Sequence, residues 1–425
     1  MIAQRLETPN SEVAAVEKPV LPDGRRTPDD GPRLKILLVS HKFPPFIGGI
    51  EMHSFEVGRR MAAMGHSVTV LTGDPSDRLA REEMVSGMRI LRVPTYPRSS
   101  DVFFAPGVYR EVVRGTWDII HVQGFHTFVP PIAMLGAIRK SAPFAITFHS
   151  GGHSSRVRNV IRGAQRAILR PLIVQADQLI AVSEFEADYF ARGLRVARER
   201  IVVVPNGAEI ETPFDVAPAS QSNPLILTIG RLERYKGHQR VIAAFKELLK
   251  KRPGANLVVL GEGPYKAQLS ALVQQLGLEG RVTIGGIPPE NRRQMGRVLS
   301  RASAVVLLSD YEAHPVAALE AIALGRPVLA SNSTGFAEMA AKGLLRGVDP
   351  TSSPQAIAEA IIEELERPPT SRRRVAINNW NDCAGALLAV YRETLRRRQA
   401  AGAPNTSRET NLGPVLTHEA KGAGS

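Results

Sequence analysis

Short, uninterrupted apolar runs, each closed by a loop of small or polar residues, recur along most of this chain and constrain its fold more than any other feature. In order they are LKILLVS (Leu34–Ser40), HSVTVLTG, MRILRVP (Met88–Pro94), DIIHVQG (Asp118–Gly124), FAITFHS (Phe144–Ser150), QLIAVS (Gln178–Ser183) and IVVVPNG (Ile201–Gly207). A strand that is apolar at nearly every position is buried on both faces, as in a parallel sheet covered by helices. Helix-length segments, such as Glu51–Met64, separate most of the runs, which is the alternation of an α/β domain. A second series begins at LILTIGR (Leu225–Arg231) and continues through ANLVVLGEG, RVTIGG, ASAVVLLS and RPVLAS. In open α/β sheets ligands bind at the carboxyl ends of the strands, so two such domains facing each other would enclose a cleft.

A chain of 425 residues suits two domains. The predicted boundaries are a disordered arm over 1–33, a first domain over 34–208, a linker over 209–224 and a second domain over 225–375. A helix over 376–398 packs back on the first domain, and a disordered tail covers 399–425. The linker is placed by its loss of periodicity and its Pro, Ser and Asn content. No apolar run approaches the roughly 18–20 residues that span a bilayer. The N-terminus lacks the apolar segment of a secretory leader. A single cysteine, Cys383, excludes an intramolecular disulfide and fits a reducing compartment, so a cytoplasmic location is expected.

The net charge of +13 calls for an anionic partner. Nucleic acid is set aside as that partner: zinc-ligand spacings and basic zippers are missing, and aromatics make up only 5% of the chain, too few for base stacking. The segment Arg156–Arg170 sets Arg162, Arg166 and Arg170 at helical spacing among Val160, Ile161, Ile168 and Leu169. That pattern serves an anionic membrane surface and a solvated helix face equally well.

Chemistry concentrates in SDYEAHPVAALE (Ser309–Glu320). Pro315 is suited to the first helical position, which would leave Glu312 in the preceding loop and Glu320 in the second turn. The free amides of Val316 and Ala317 at such a helix start would suit a diphosphate. Arg231 and Lys236 follow the first strand of the second series, where a guanidinium fork and a compact ammonium could neutralise a leaving diphosphate. Gly48 and Gly49 follow the first strand of the chain, where backbone amides can approach a phosphate closely. They do not form the G-x-G-x-x-G of a dinucleotide oxidoreductase. His149 closes a strand at its carboxyl end. His121, His126 and His153 are near it in sequence, but their spacing matches no strong metal-ligand pattern, and no metal is expected.

With these motifs in place the chain resembles the retaining GT-B glycosyltransferases of family 4. Glu312 and Glu320 match that family's E-x7-E motif, and LILTIGRLERYKGHQRVIAAF, IVVVPNGAE, VVLGEGP and LEAIALGRPVLAS match its other segments between Leu34 and about Leu395. The resemblance implies a GT-B fold of two Rossmann-like domains and metal-independent transfer of a hexose from a UDP- or GDP-sugar to a glycan or lipid-linked acceptor. The nucleotide sugar is a substrate, so no cofactor is implied. It further implies that Arg231 and Lys236 hold the donor diphosphate, that the Gly48–Gly49 loop faces it, and that His149 lies near the transferred sugar. Glu320 would contact the ribose and Glu312 the sugar or its phosphate. One departure stands out: the family's glycines after the first Glu are replaced here by Ala313-His314-Pro315. That departure leaves a catalytically inactive nucleotide-sugar or glycan-binding homologue as an alternative, and the shared two-domain fold leaves a nucleotide-sugar epimerase as another.

Overall fold

The computed structural model describes residues 31–46, 48–97, 103–149, 156–210, 222–288, 291–366 and 377–402, with the backbone alone for 156–162. Most of the predicted arm, linker and tail lies outside these residues.

The first unit carries strands β1 (Lys35–Val39), β2 (Ser67–Asp74), β3 (Glu82–Val85), β4 (Met88–Pro94), β5 (Ile119–Gln123), β6 (Phe144–Thr147), β7 (Gln178–Ala181) and β8 (Ile201–Val203). Its helices are α1 (Gly49–Ala63), α2 (Gly107–Arg114), α3 (Val129–Lys140), α4 (Arg156–Ile173) and α5 (Glu184–Leu194). The strands lie in the order β3-β4-β2-β1-β5-β6-β7-β8 and are parallel except for β3, which runs antiparallel to β4. β3 is absent from the sequence reading because EEMV is short and charged. Its turn, Ser86-Gly87, has φ of 50° and 81°, the positive values that a two-residue hairpin demands.

The chain moves leftward from β1 through β2 to β4, then crosses back to β5 and continues rightward through β6, β7 and β8. Right-handed crossovers therefore put α1 on one face and α2 to α5 on the other. A separate apolar core fills each face. Leu37, Val39, Ile120, Phe125, Phe148 and Phe190 belong to the α2–α5 side, and Ile36, Leu38, Val57 and Met61 to the α1 side.

The second unit carries β9 (Leu225–Ile229), β10 (Asn256–Leu260), β11 (Val282–Gly285), β12 (Ala304–Leu307), β13 (Val328–Ser331) and β14 (Arg346–Val348). Its sheet is wholly parallel in the order β11-β10-β9-β12-β13-β14. Helices α6 (His238–Lys251), α7 (Lys266–Gln275), α8 (Arg292–Arg301), α9 (Val316–Ala323), α10 (Thr334–Ala341) and α11 (Pro354–Glu366) cover it. The three-residue edge strand β14 is too short to show in the apolar pattern.

The last helix, α12 (Trp380–Gly402), returns to the first unit and packs on α1. Trp380, Cys383, Leu387 and Tyr391 enter the α1-side core. It extends four residues past the predicted end at 398, because Gln399–Ala401 are compatible with a helix and nothing before Gly402 stops it. Cys383 is buried there, and desolvation pushes its thiol up to about 12.

Candidate active site

The loop between β9 and α6 forms one wall of the cleft. A 3-10 turn over Arg234–Lys236 ends at Gly237, whose φ of 74° suits glycine. A Cβ there would lie 1.9 Å from the Leu308 carbonyl oxygen, so only glycine lets this loop close against the end of β12. The approach brings Lys236 to Glu312, with Nζ to Oε1 at 2.5 Å and both side chains mostly buried. Burial draws the Lys236 ammonium down, but Glu312, Tyr235 and Glu233 outweigh it, and the net shift is upward. Lys236 is a fixed cation at the carboxyl edge of the sheet. Arg231 is far more open, with 57% of its side chain exposed and Nη2 3.2 Å from Glu233. His238, buried behind the loop, bridges Thr228 Oγ1 at 3.1 Å and the Arg231 carbonyl at 3.3 Å. Desolvation lowers its imidazole to about 4, so it is neutral and acts as a brace.

The Glu312 loop is gripped by the start of α10. The Glu312 amide donates to Thr334 Oγ1 at 3.0 Å, and the Gly335 amide donates to the Glu312 carbonyl at 2.8 Å. A Cβ on Gly335 would fall 2.0 Å from the Ala313 carbonyl oxygen. Pro315 occupies the N-cap of α9 rather than the expected first helical position, with φ −74° and ψ 115°. Its carbonyl accepts from Ala318 and Leu319, so the Val316 and Ala317 amides precede the helical ladder. Glu320, one turn on, is buried and ion-paired with Arg292 at the start of α8. Desolvation raises its carboxyl above 4.5, and Arg292 partly offsets this. Arg292 went unforeseen because its partner is 28 residues away in a different helix.

The first unit contributes the facing wall. Gly48 is the N-cap of α1, and the first backbone bond runs from Met52 N–H to the Gly48 carbonyl at 3.0 Å. The Gly49, Ile50 and Glu51 amides therefore come before the ladder. Gly48 is extended, a conformation open to any residue; glycine leaves room for the Glu51 carboxylate, which would sit 2.1 Å from a Cβ. Burial raises the Glu51 carboxyl, while Lys42 and Arg231 oppose that rise, so the Arg231 charge acts across the cleft on this loop.

His149, two residues past the end of β6, has a φ of 45°, a conformation uncommon outside glycine. Its Nε2 lies 2.7 Å from Gln123 Oε1 and its ring stands edge-on to His53 at 4.5 Å. His121 lies deeper, with Nδ1 2.5 Å from the Tyr391 hydroxyl and Nε2 2.7 Å from Thr147 Oγ1. Desolvation lowers all three imidazoles: His149 well below its ordinary value, His53 to about 4 and His121 to about 3. The cluster is neutral at physiological pH and can offer hydrogen bonds without charge. The His126 ring lies tilted against Phe125 with centroids 4.1 Å apart, and His153 lies outside the described residues. Among the described residues, no group of three His, Cys, Asp or Glu is placed to hold a metal ion.

The structure thus gathers Lys236, Glu312, Val316 and Ala317 on one wall, where Arg231 is held at Glu233 and its charge is felt by Glu51 in the first turn of α1. His149 stands beside the facing wall, at His53 of α1. Residues missed in the sequence are His53, Gln123, Asn206, His238 and Arg292. His238, directly after the Lys-Gly pair, was the most findable of them.

Comparison with known proteins finds relatives along most of the chain. Residues 210–380 match the family described as glycosyl transferases group 1, and residues 47–212 match glycosyltransferase family 4. Glycogen synthase of Mycobacterium tuberculosis is 28% identical over 398 residues, covering 84% of this chain and 94% of the relative. The GDP-mannose:cellobiosyl-diphosphopolyprenol alpha-mannosyltransferase of Xanthomonas campestris is 25% identical, covering 85% and 97%. Among solved structures, the sucrose-phosphate synthase of Thermosynechococcus elongatus superposes with a TM-score of 0.69 at 21% identity, over 86% of this chain and all of that one, which shows the same fold.

Proposed function

We propose, from the premise that this chain belongs to the family 4 (group 1) glycosyltransferases, that it transfers a hexose from a UDP- or GDP-sugar to a glycan or lipid-linked acceptor, with retention of anomeric configuration and without a metal. That it is a glycosyltransferase of GT-B fold using a nucleotide-sugar donor follows from the family. The finer reading is carried by one observation: the Lys236–Glu312 pair sits at the carboxyl edge of the second sheet, with the Arg231 charge acting on Glu51 in the first turn of α1. Departure of a nucleoside diphosphate develops negative charge. A mostly buried ammonium, an exposed guanidinium and two sets of helix-start amides are groups of the kind that stabilise it. In this reading Glu312 contacts the sugar or its phosphate, and Glu320 the ribose. The neutral His149 donates or accepts a hydrogen bond at a sugar hydroxyl. The inactive-homologue and epimerase readings have no feature in this geometry that favours them over transfer.

The acceptor reading draws on the other face of the first unit. Helices α2, α3 and α4 lie in succession there, and among the residues whose side chains are described they carry Arg110 and Arg114, Arg139 and Lys140, and Arg166 and Arg170, with Glu111 as the one acid. Phe104, Phe128 and Ile168 stand exposed among them. Cations interleaved with apolar side chains suit an anionic bilayer, which attracts each nearby charge by about 1 kcal/mol. Among the described residues no helix is long and apolar enough to cross a membrane, so the contact would be peripheral, on the cytoplasmic side. The diphosphopolyprenol in the name of the Xanthomonas relative is an acceptor of the kind this surface would present.

A thermal-shift and hydrolysis screen with UDP-glucose, UDP-GlcNAc and GDP-mannose in EDTA tests the donor reading. One base should stabilise the protein, Arg231→Ala should abolish that shift, and Glu312→Gln should abolish hydrolysis. No shift with any nucleotide would overturn the diphosphate assignment. Binding without hydrolysis or transfer to any acceptor would favour the inactive homologue. Sedimentation with phosphatidylglycerol vesicles but not phosphatidylcholine ones tests the surface.

A further inference from the structure

Asn206 stands just beyond β8, where the chain leaves the first unit, and it is buried. Its side-chain Nδ2 donates to the His314 carbonyl at 2.9 Å, and its own amide donates to His314 Nδ1 at 3.2 Å. A carbonyl oxygen only accepts, so the amide NH2 must face His314 and Oδ1 must face the other way. There Oδ1 meets His53 Nδ1 at 3.0 Å. His53 Nδ1 therefore carries its proton, and its buried Nε2 is an acceptor with no partner among the described residues, on the ring that abuts His149. The proton of neutral His314 is in turn fixed on Nε2. One residue thus defines the tautomers of two histidines on opposite sides of the cleft.

The loop it grips runs from Glu312 to Pro315. Thr334 and Gly335 of its own unit hold one end through Glu312, and Asn206 of the other unit holds the next turn through His314. Two further contacts cross between the units nearby: the Phe185 amide donates to Glu338 Oε2 at 3.0 Å, and the Phe185 and Tyr311 rings meet edge to face at 5.7 Å. The loop's place over the donor is set jointly by both units. Alanine and proline in place of the family's glycines leave it little freedom to find that place by itself.

We propose that Asn206 is a positioning residue for the transfer, clasping His314 to His53 so that the Glu312 loop and His149 are held at one separation when the sugar is between them. The inference rests on the reading of that loop as the donor-sugar site. Lys236 and Arg231 are tied into place through Gly237, Glu312 and Glu233, independently of Asn206. Nucleoside diphosphate binding should therefore survive loss of the clasp, while the turnover step should not.

The test compares Asn206→Ala and Asn206→Asp with the parent in the full chain. UDP and GDP affinity is measured by calorimetry, kcat and KM with the donor the parent uses, and side-chain tautomers by long-range 15N–1H spectra of histidine-labelled protein. Asn206→Ala should bind the diphosphate within about twofold of the parent and lose about 10- to 100-fold in kcat, the effect of a displacement near 1 Å. It should also lose the Nδ1–H signature of His53. Asn206→Asp keeps the acceptor for His53 but cannot donate to the His314 carbonyl, so it should keep that signature and still lose kcat. Full kcat in either variant, beside an active parent, would overturn the proposal, as would an unchanged His53 signature in Asn206→Ala. A parent that neither binds nor turns over any nucleotide sugar would instead overturn the donor-site reading, a distinct outcome. Should Asn206→Ala not fold, the Asn206→Asp kinetics decide.

Discussion

Replacing Arg292 with methionine isolates the buried carboxylate of Glu320. The Glu320 side chain is 6% exposed and that of Arg292 is 29% exposed, so the pair is buried on one side and wet on the other. Removing one partner of a fully buried pair costs about 3–5 kcal/mol. Water reaching the arginine side reduces this to about 2–3 kcal/mol. For a unit of this size each kcal/mol moves the melting temperature by about 2–4 °C, so the second unit should melt about 4–12 °C lower at pH 7.5. The loss should depend on pH with a definite sign. Burial already raises the Glu320 carboxyl above 4.5, and without Arg292 it rises further. A carboxyl raised in the folded state favours folding when protonated, so its stabilising contribution is complete below 4.5 and is lost as pH rises through the folded value. The gap between Arg292→Met and the parent should therefore be widest at pH 7.5 and narrow toward pH 5. Adding Glu320→Gln should close it at every pH. Calorimetry of the parent, Arg292→Met and Arg292→Met/Glu320→Gln across that range is the assay. A gap that is flat with pH, or a double variant no more stable than Arg292→Met, would refute the buried-charge account.

Three other outcomes follow from the same geometry. Desolvation lowers His53 to about 4 and His121 to about 3, so stability should be complete above pH 6.5 and fall as pH drops toward those values. Each contributes on the order of 3–5 kcal/mol, and His121→Asn should flatten the decline in urea midpoints below pH 6.5. If Lys236 holds the donor diphosphate as proposed, Lys236→Met should weaken nucleoside diphosphate binding by about 10- to 100-fold in calorimetry, the worth of a charge-assisted contact of about 1.5–3 kcal/mol. Gly237→Ala would put its Cβ into the Leu308 carbonyl, so a loss of more than about 1 kcal/mol and of donor affinity is expected, read by denaturant titration and calorimetry together.

The alternation of apolar runs and helix-length segments determined the class and the double-sheet plan, because strands buried on both faces leave a local, periodic mark. It also brought out Arg231, Lys236, Glu312 and Glu320, whose place at strand ends and helix starts is a matter of nearby sequence. β3 and β14 left no such mark: a short hairpin arm and a three-residue edge strand bury too little to impose a pattern. Tertiary structure alone decided the pairings. Glu320 finds Arg292, Lys236 finds Glu312, and His53 reaches His314 through Asn206, across separations of 28, 76 and more than a hundred residues. None of these contacts follows from local propensity: the first two depend on how the loops and helices of the second unit pack on its sheet, and the third on how the two units settle against each other. A buried histidine reads in sequence like any other; which nitrogen bears its proton depends on a neighbour that only the folded chain supplies.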